Sequence, residues 1–487
     1  MARASTWAVR VVVGALVIIL VLVVAAVGYL LGLKVPQSAS GMAAKAVCSG
    51  VFVAGRDPDV VFDEDVAGAS PAFAVVSVRV DEASHSATAK TLGLFSRTAS
   101  LQSDRGCVLD VEPDPTAKAY VPTSDLTRTW PEGDAPAPEQ EWPEGVDAAR
   151  LDEVVDAAFE GAGDVADANA RAVAIVQNGT LLVLREAPGF EDGTPLHGWS
   201  MTKTVAGMLA YKLMVDNDIP LDTPVVDTFP NGREPEWVTD WRTDDRAAIT
   251  VADLIDMTDG LDNTEGYTPL DDTVRMLNSE PDMAAYSAQA PSAYPAGTHW
   301  NYTSQTANIL ADVARGQVGS EEAYWTYPSQ ALFDPIGARS ATLETDTSGT
   351  WVGSSYLWAS VADWARLGQL ALQDGEWNGT QVIPPGWLEL ASTPALPDGE
   401  AAGYSAQAWL PGNPVGGECR ALAGFPEDTV SMEGHWGQKV AVVPSKQAVV
   451  VRLGWTFDSD TFDYCEFWND VLTALPDAPT AASSPQP

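Results

Sequence analysis

The sequence predicts an α/β protein of α+β type, in which one antiparallel sheet is covered by helices and joined to an all-helical lobe. A small β-rich accessory region and a single N-terminal transmembrane helix are expected to precede it. Three observations carry this reading. Apolar β-like runs with hairpin signals stand near both ends of residues 149–475, the stretch between them carries mostly helical periodicity, and a long uncharged run lies close to the N-terminus.

The uncharged run extends from Val11 to Leu33, 23 positions rich in Val, Leu, Ile and Ala. That length spans a bilayer as a helix. Arg3 and Arg10 precede it, which places the short N-terminus in the cytoplasm and the remainder outside. A secretory signal has a shorter apolar core, roughly 7–15 residues. The small residues Ser38-Ala39-Ser40 keep a second route open, cleavage and secretion. Export is expected on either route. Within residues 35–125, Phe73–Val80 and Ala87–Phe95 have strand character. Residues 126–148 read as a Pro-rich acidic linker, 149–475 as the main domain and 476–487 as a disordered Pro/Ala/Ser tail.

The 487 residues suffice for two or three domains, and their net charge of −40 argues against nucleic acid and anionic lipid headgroups as partners. Such a field favours neutral or cationic small substrates, although solubility explains it more simply. There are four cysteines, Cys48, Cys107, Cys419 and Cys465. In an exported chain they read as disulfides, with three pairings open. Cys48–Cys107 and Cys419–Cys465 are preferred because each stays within one folding unit. No Cys-x-x-Cys or His-Glu-x-x-His is present and the four histidines are scattered, so no metal and no cofactor is expected.

The main domain opens with an amphipathic helix near residues 151–159. A β-like run over 172–184 follows, interrupted by Asn178-Gly179, a hairpin signal. After the loop Pro195–Trp199, Ser200-Met201-Thr202-Lys203 opens a helix marked by Val205, Met208, Leu209 and Leu213. Positions i and i+3 share a helix face, so Lys203 lies beside Ser200. A desolvated lysine gives up its proton readily and serves as base to a serine nucleophile. Tyr302-Thr303-Ser304 precedes another helical run, and His435-Trp436-Gly437-Gln438 leads into strand Val440–Val443, which pairs with Ala448–Leu453 around Pro444–Gln447.

Ser-x-x-Lys, Tyr-x-Ser and His-x-Gly, in this order, resemble the serine β-lactamase and penicillin-binding-protein superfamily. The likeness is greatest to its class C, esterase and 6-aminohexanoate-dimer hydrolase branch. Ile249–Leu261 is similar to a conserved segment of that family, with Asp259 in place of the usual serine. Gly353–Tyr356 through Asp363–Gly368 is similar to another. The resemblance implies the β-lactamase-like fold, with the site in the cleft between two lobes. It also implies Ser200 as nucleophile, Lys203 as base and Tyr302 as proton shuttle. Backbone N–H groups of Ser200 and Gln438 would form the oxyanion hole, and Gly437 would allow close approach of the strand. Ser304 stands where the family often has Asn, and Trp436 and Trp199 would wall the pocket. His435 replaces the lysine of Lys-Thr-Gly, so permanent positive charge is lost there.

The expected activity is therefore hydrolysis of small neutral or cationic esters or amides by an acyl-enzyme on Ser200. The rival readings are a penicillin-binding or D-amino-acid peptidase-like protein, and a non-catalytic cell-wall binding protein. A Ser-His-Asp hydrolase is excluded because Gly198-Trp199-Ser200-Met201-Thr202 lacks the second glycine of Gly-x-Ser-x-Gly.

Overall fold

The computed structural model describes residues 2–160, 169–230, 233–411, 419–457 and 461–478. A seven-stranded antiparallel sheet organises the main domain. Its order is Tyr404–Ser405, Ala408–Trp409, Val430–Gly434, Gln438–Val443, Ala448–Gly454, Ala170–Gln177 and Thr180–Glu186. Side chains alternate between its faces. Val440, Val442, Val449 and Val451 enter the larger core with helices Met201–Asp216 and Val361–Leu372, while Ala441, Val443, Val450 and Ile175 meet helices Ala148–Glu160 and Tyr464–Thr473. Both faces are buried, which explains why these strands read as unbroken apolar runs. Asn178 and Gly179 have φ of 49° and 72°, the left-handed pair a two-residue hairpin requires.

The N-terminal portion differs from a purely β-rich region. Helix α1, Ala2–Gly32, is followed by helix α2, Val35–Phe52, which packs on a four-stranded antiparallel sheet: β1 Val76–Asp81, β2 Ser86–Thr91, β3 Phe95–Gln102 and β4 Gly106–Leu109. Small residues let α2 approach its neighbours; a Cβ on Gly41 would lie 2.0 Å from the Asn278 carbonyl oxygen. The expected span Val11–Leu33 lies partly outside the described side chains. Among the described residues no helix is long and apolar enough to cross a membrane, so the transmembrane part of the expected fold is not supported.

Two disulfides form, Cys48–Cys107 with 6.0 Å between Cα atoms and Cys419–Cys465 with 5.0 Å. The first closes α2 onto β4. The segment read as a linker is docked rather than extended through solvent. Trp130 is buried, Arg366 lies 4.6 Å from its ring centre and 2.8 Å from Asp134, and Arg366 donates to the Gly133 carbonyl. The expected tail begins bound to the sheet, with Gln177 donating to the Pro476 carbonyl at 2.9 Å; residues 479–487 lie outside the described residues.

Candidate active site

Ser200 occupies the N-cap position of helix Met201–Asp216, half-buried and preceded by Trp199 at a φ of 48°. A bulky aromatic in the left-handed region is strained and persists only where its surroundings fix it. Here a ring cluster does so, with Trp199 5.3 Å from Trp436 and 6.0 Å from Trp455. One turn along, Lys203 is 1% exposed. Its Nζ lies 2.9 Å from Ser200 Oγ, 3.0 Å from Ser304 Oγ and 3.0 Å from the Ser354 carbonyl oxygen.

Burial lowers the Lys203 ammonium from 10.5 to about 8, against the opposing pull of Glu265. The three partners suit the uncharged amine. It has two N–H donors, for Ser304 and the Ser354 carbonyl, and one lone pair, to receive the Ser200 proton. Burial pushes the Tyr302 phenol in the other direction, well above 10, and Glu265 adds to the effect. The Tyr302 hydroxyl contacts that of Ser200, and its ring centre is 4.8 Å from Lys203 Nζ. The environment thus separates a lysine able to accept a proton from a tyrosine that holds one.

Glu265 and Tyr267 complete the arrangement and were not found from sequence. Glu265 accepts from the Ser304 backbone N–H at 2.7 Å, from Ser304 Oγ at 2.9 Å and from the Tyr267 hydroxyl at 2.6 Å. The ring of Tyr267 is exposed, while its hydroxyl reaches inward to contact Ser200. Both residues sit on an irregular loop, where no periodicity marks a site-facing position. The Ser304 hydroxyl is committed to Lys203 and Glu265, so it links the base to a carboxylate rather than presenting itself to a substrate amide.

His435, Trp436 and Gly437 form the turn between strands Val430–Gly434 and Gln438–Val443. This turn adjoins the segment leading into Ser200: a Cβ on Gly434 would lie 2.2 Å from the Gly198 carbonyl oxygen. Gly437 has a φ of 84°, and a Cβ there would meet Arg452 at 2.3 Å. The Gln438 side chain is used internally. Its Nε2 donates to the His435, Trp436 and Gly454 carbonyls, and its Oε1 accepts from the Gly454 N–H. His435 stacks on Tyr267 at 4.4 Å, and burial lowers its imidazole to about 4, leaving it neutral at pH 7. Asp259 is buried; Asp259 Oδ2 accepts from the Thr306 hydroxyl at 2.5 Å and Oδ1 from the Leu261 N–H. No group of residues suited to a metal ion occurs among the described residues.

Residues 155–465 match the Beta-lactamase family model. Over 178 residues the chain is 29% identical to 6-aminohexanoate-dimer hydrolase of Paenarthrobacter ureafaciens, a stretch covering 33% of this chain and 41% of that relative's length. A Bacillus anthracis protein proposed to be a 6-aminohexanoate-dimer hydrolase superposes with a TM-score of 0.52 at 21% identity, over 66% of this chain and 81% of the other. A hydrolase with promiscuous acyltransferase activity gives 0.51 at 15% identity, over 67% and 97%. The family match covers more than half of the chain and embraces Ser200, Lys203, Tyr302 and the 435–438 turn: this protein belongs to the beta-lactamase family.

Proposed function

We propose that the protein is a serine hydrolase that cleaves ester or amide bonds of small neutral or cationic substrates through an acyl-enzyme on Ser200. The observation that carries this reading is Lys203 Nζ at 2.9 Å from Ser200 Oγ, buried and shifted toward its free-base form. Lys203 takes the Ser200 proton as Oγ attacks the carbonyl carbon. The Ser200 and Gln438 N–H groups receive the developing oxyanion, and Tyr302 passes a proton to the leaving group. Water then attacks the acyl-enzyme, with Tyr302 and Lys203 reversing their roles. The likeness to a 6-aminohexanoate-dimer hydrolase supports a hydrolytic reaction.

Intact-mass analysis after exposure to p-nitrophenyl esters, 6-aminohexanoate dimers and penicillins tests the proposal. An adduct absent from Ser200→Ala is expected; one persisting on another serine refutes the assignment. Neutral His435 offers little attraction to the carboxylate of a penicillin, so β-lactams are expected to turn over poorly relative to neutral esters. Equal penicillin and ester turnover at pH 7 would contradict that specificity.

We also propose an exported location with α1 at the membrane, supported by two disulfides and by the exposed apolar side chains Val11–Val13 and Leu16–Val21 on α1. Protease protection of the N-terminus in intact cells, with the main domain digested from outside, is the expected result.

A further inference from the structure

A cavity of about 310 Å³ lies where α2 meets the main domain, and its walls come from both. On one side Val35, Ala39, Met42 and Ala46 form a stripe at i, i+4, i+7 and i+11 of α2. The opposite side holds Trp199, Tyr267, His435 and Trp436; Trp199 immediately precedes Ser200, and the Tyr267 hydroxyl contacts it. The chamber thus runs from rings adjoining Ser200 to a helix outside the 155–465 family match.

Its chemistry is narrow. The two charged side chains on its wall are already neutralised. Lys45 pairs with Glu344 at 2.7 Å, and Asp65 lies between Arg56 and Arg171. An ionic ligand would find no unpaired counter-charge in these pairs. Two indoles, Trp199 and Trp455, add broad ring surface to the wall. Trp199 and Trp436 are both held at left-handed φ, 48° and 58°, so this wall is rigid and strained into place. The volume sits at the small end of ligand sites, roughly 300–1,000 Å³, which suits one aromatic or branched group rather than a polymer.

We propose that α2 closes an acyl pocket beside Ser200 that selects uncharged aromatic or branched apolar groups. This deepens the hydrolase reading by naming its substrate class, and its turnover arm rests on that reading while its binding arm does not.

The test fills the pocket from α2, away from the catalytic groups. Wild type, Ser200→Ala, Ala46→Trp and Met42→Phe are titrated with neutral N-phenyl-1-naphthylamine and with anionic 1-anilinonaphthalene-8-sulfonate, with folding followed by near-UV circular dichroism. Saturable binding of the neutral probe to wild type and Ser200→Ala is expected. The anion should bind more weakly, and a filling variant should lose about tenfold or more in affinity. With p-nitrophenyl phenylacetate against p-nitrophenyl acetate, filling should lower kcat/KM for the bulky ester by about tenfold or more and leave the acetate within about twofold. No saturable neutral binding, or unchanged binding in whichever filling variant folds, overturns the pocket. Normal probe binding without Ser200-dependent turnover overturns only the hydrolase reading. Ser200-dependent acetate turnover that ignores both acyl bulk and the filling variants overturns only the pocket.

Discussion

The state of Lys203 sets how the activity should depend on pH. An exposed lysine titrating at 10.5 is about 0.03% neutral at pH 7, whereas one at about 8 is about 9% neutral, a gain of roughly 300-fold in free base and about 3 kcal/mol in free energy. The acylation rate, followed as kcat/KM for a small neutral ester, should therefore climb about tenfold per pH unit below pH 7 and level off above about pH 8 to 9. Glu265 opposes the burial of Lys203, and it reaches the amine through Ser304. Replacing it as Glu265→Gln removes an anion that favours the protonated amine, so the rising limb should move to lower pH. Lys203→Ala should erase the limb and slow acylation by about a hundredfold or more. Stopped-flow ester hydrolysis across about pH 6 to 9.5 gives all three profiles. A flat wild-type profile, or a limb that moves upward in Glu265→Gln, would refute the assignment of Lys203 as the base.

Two further outcomes are expected. Tyr302→Phe removes the hydroxyl that contacts Ser200 and should cut turnover by about a hundredfold while a Ser200 adduct still accumulates in intact-mass spectra; unaltered turnover would exclude Tyr302 from proton transfer. Burial raises Asp259 from 3.8 to about 6, so between these values the folded protein keeps a proton that the unfolded chain releases, and stability falls as pH rises. Asp259→Asn lacks that decline, so its Tm should gain on the wild type between about pH 4 and pH 7; a Tm difference independent of pH would show that Asp259 does not titrate in this window.

The order Ser200, Lys203, Tyr302 and His435 was legible because each stands in a short local pattern at the start of a helix or beside a strand. Sequence spacing alone put Lys203 beside Ser200, since neighbours on a helix face are fixed by its pitch. The seven-stranded sheet was legible at both ends because hairpin chemistry and apolar runs are local signals. Glu265 and Tyr267 were not legible: they reach the site from an irregular loop, and only the folding of residues 263–267 against Ser304 brings their side chains to Lys203. The same holds for α2, whose small-residue stripe has little amphipathic contrast and whose burial depends on a sheet and a helix distant in sequence. Sequence by itself determined the mixed α/β class and the placing of Lys203 beside Ser200, because both are written in short-range periodicity. Tertiary structure alone decided the protonation of those groups, the carboxylate behind Ser304 and the chamber beside Ser200, because burial and long-range contact exist only once the chain has closed on itself.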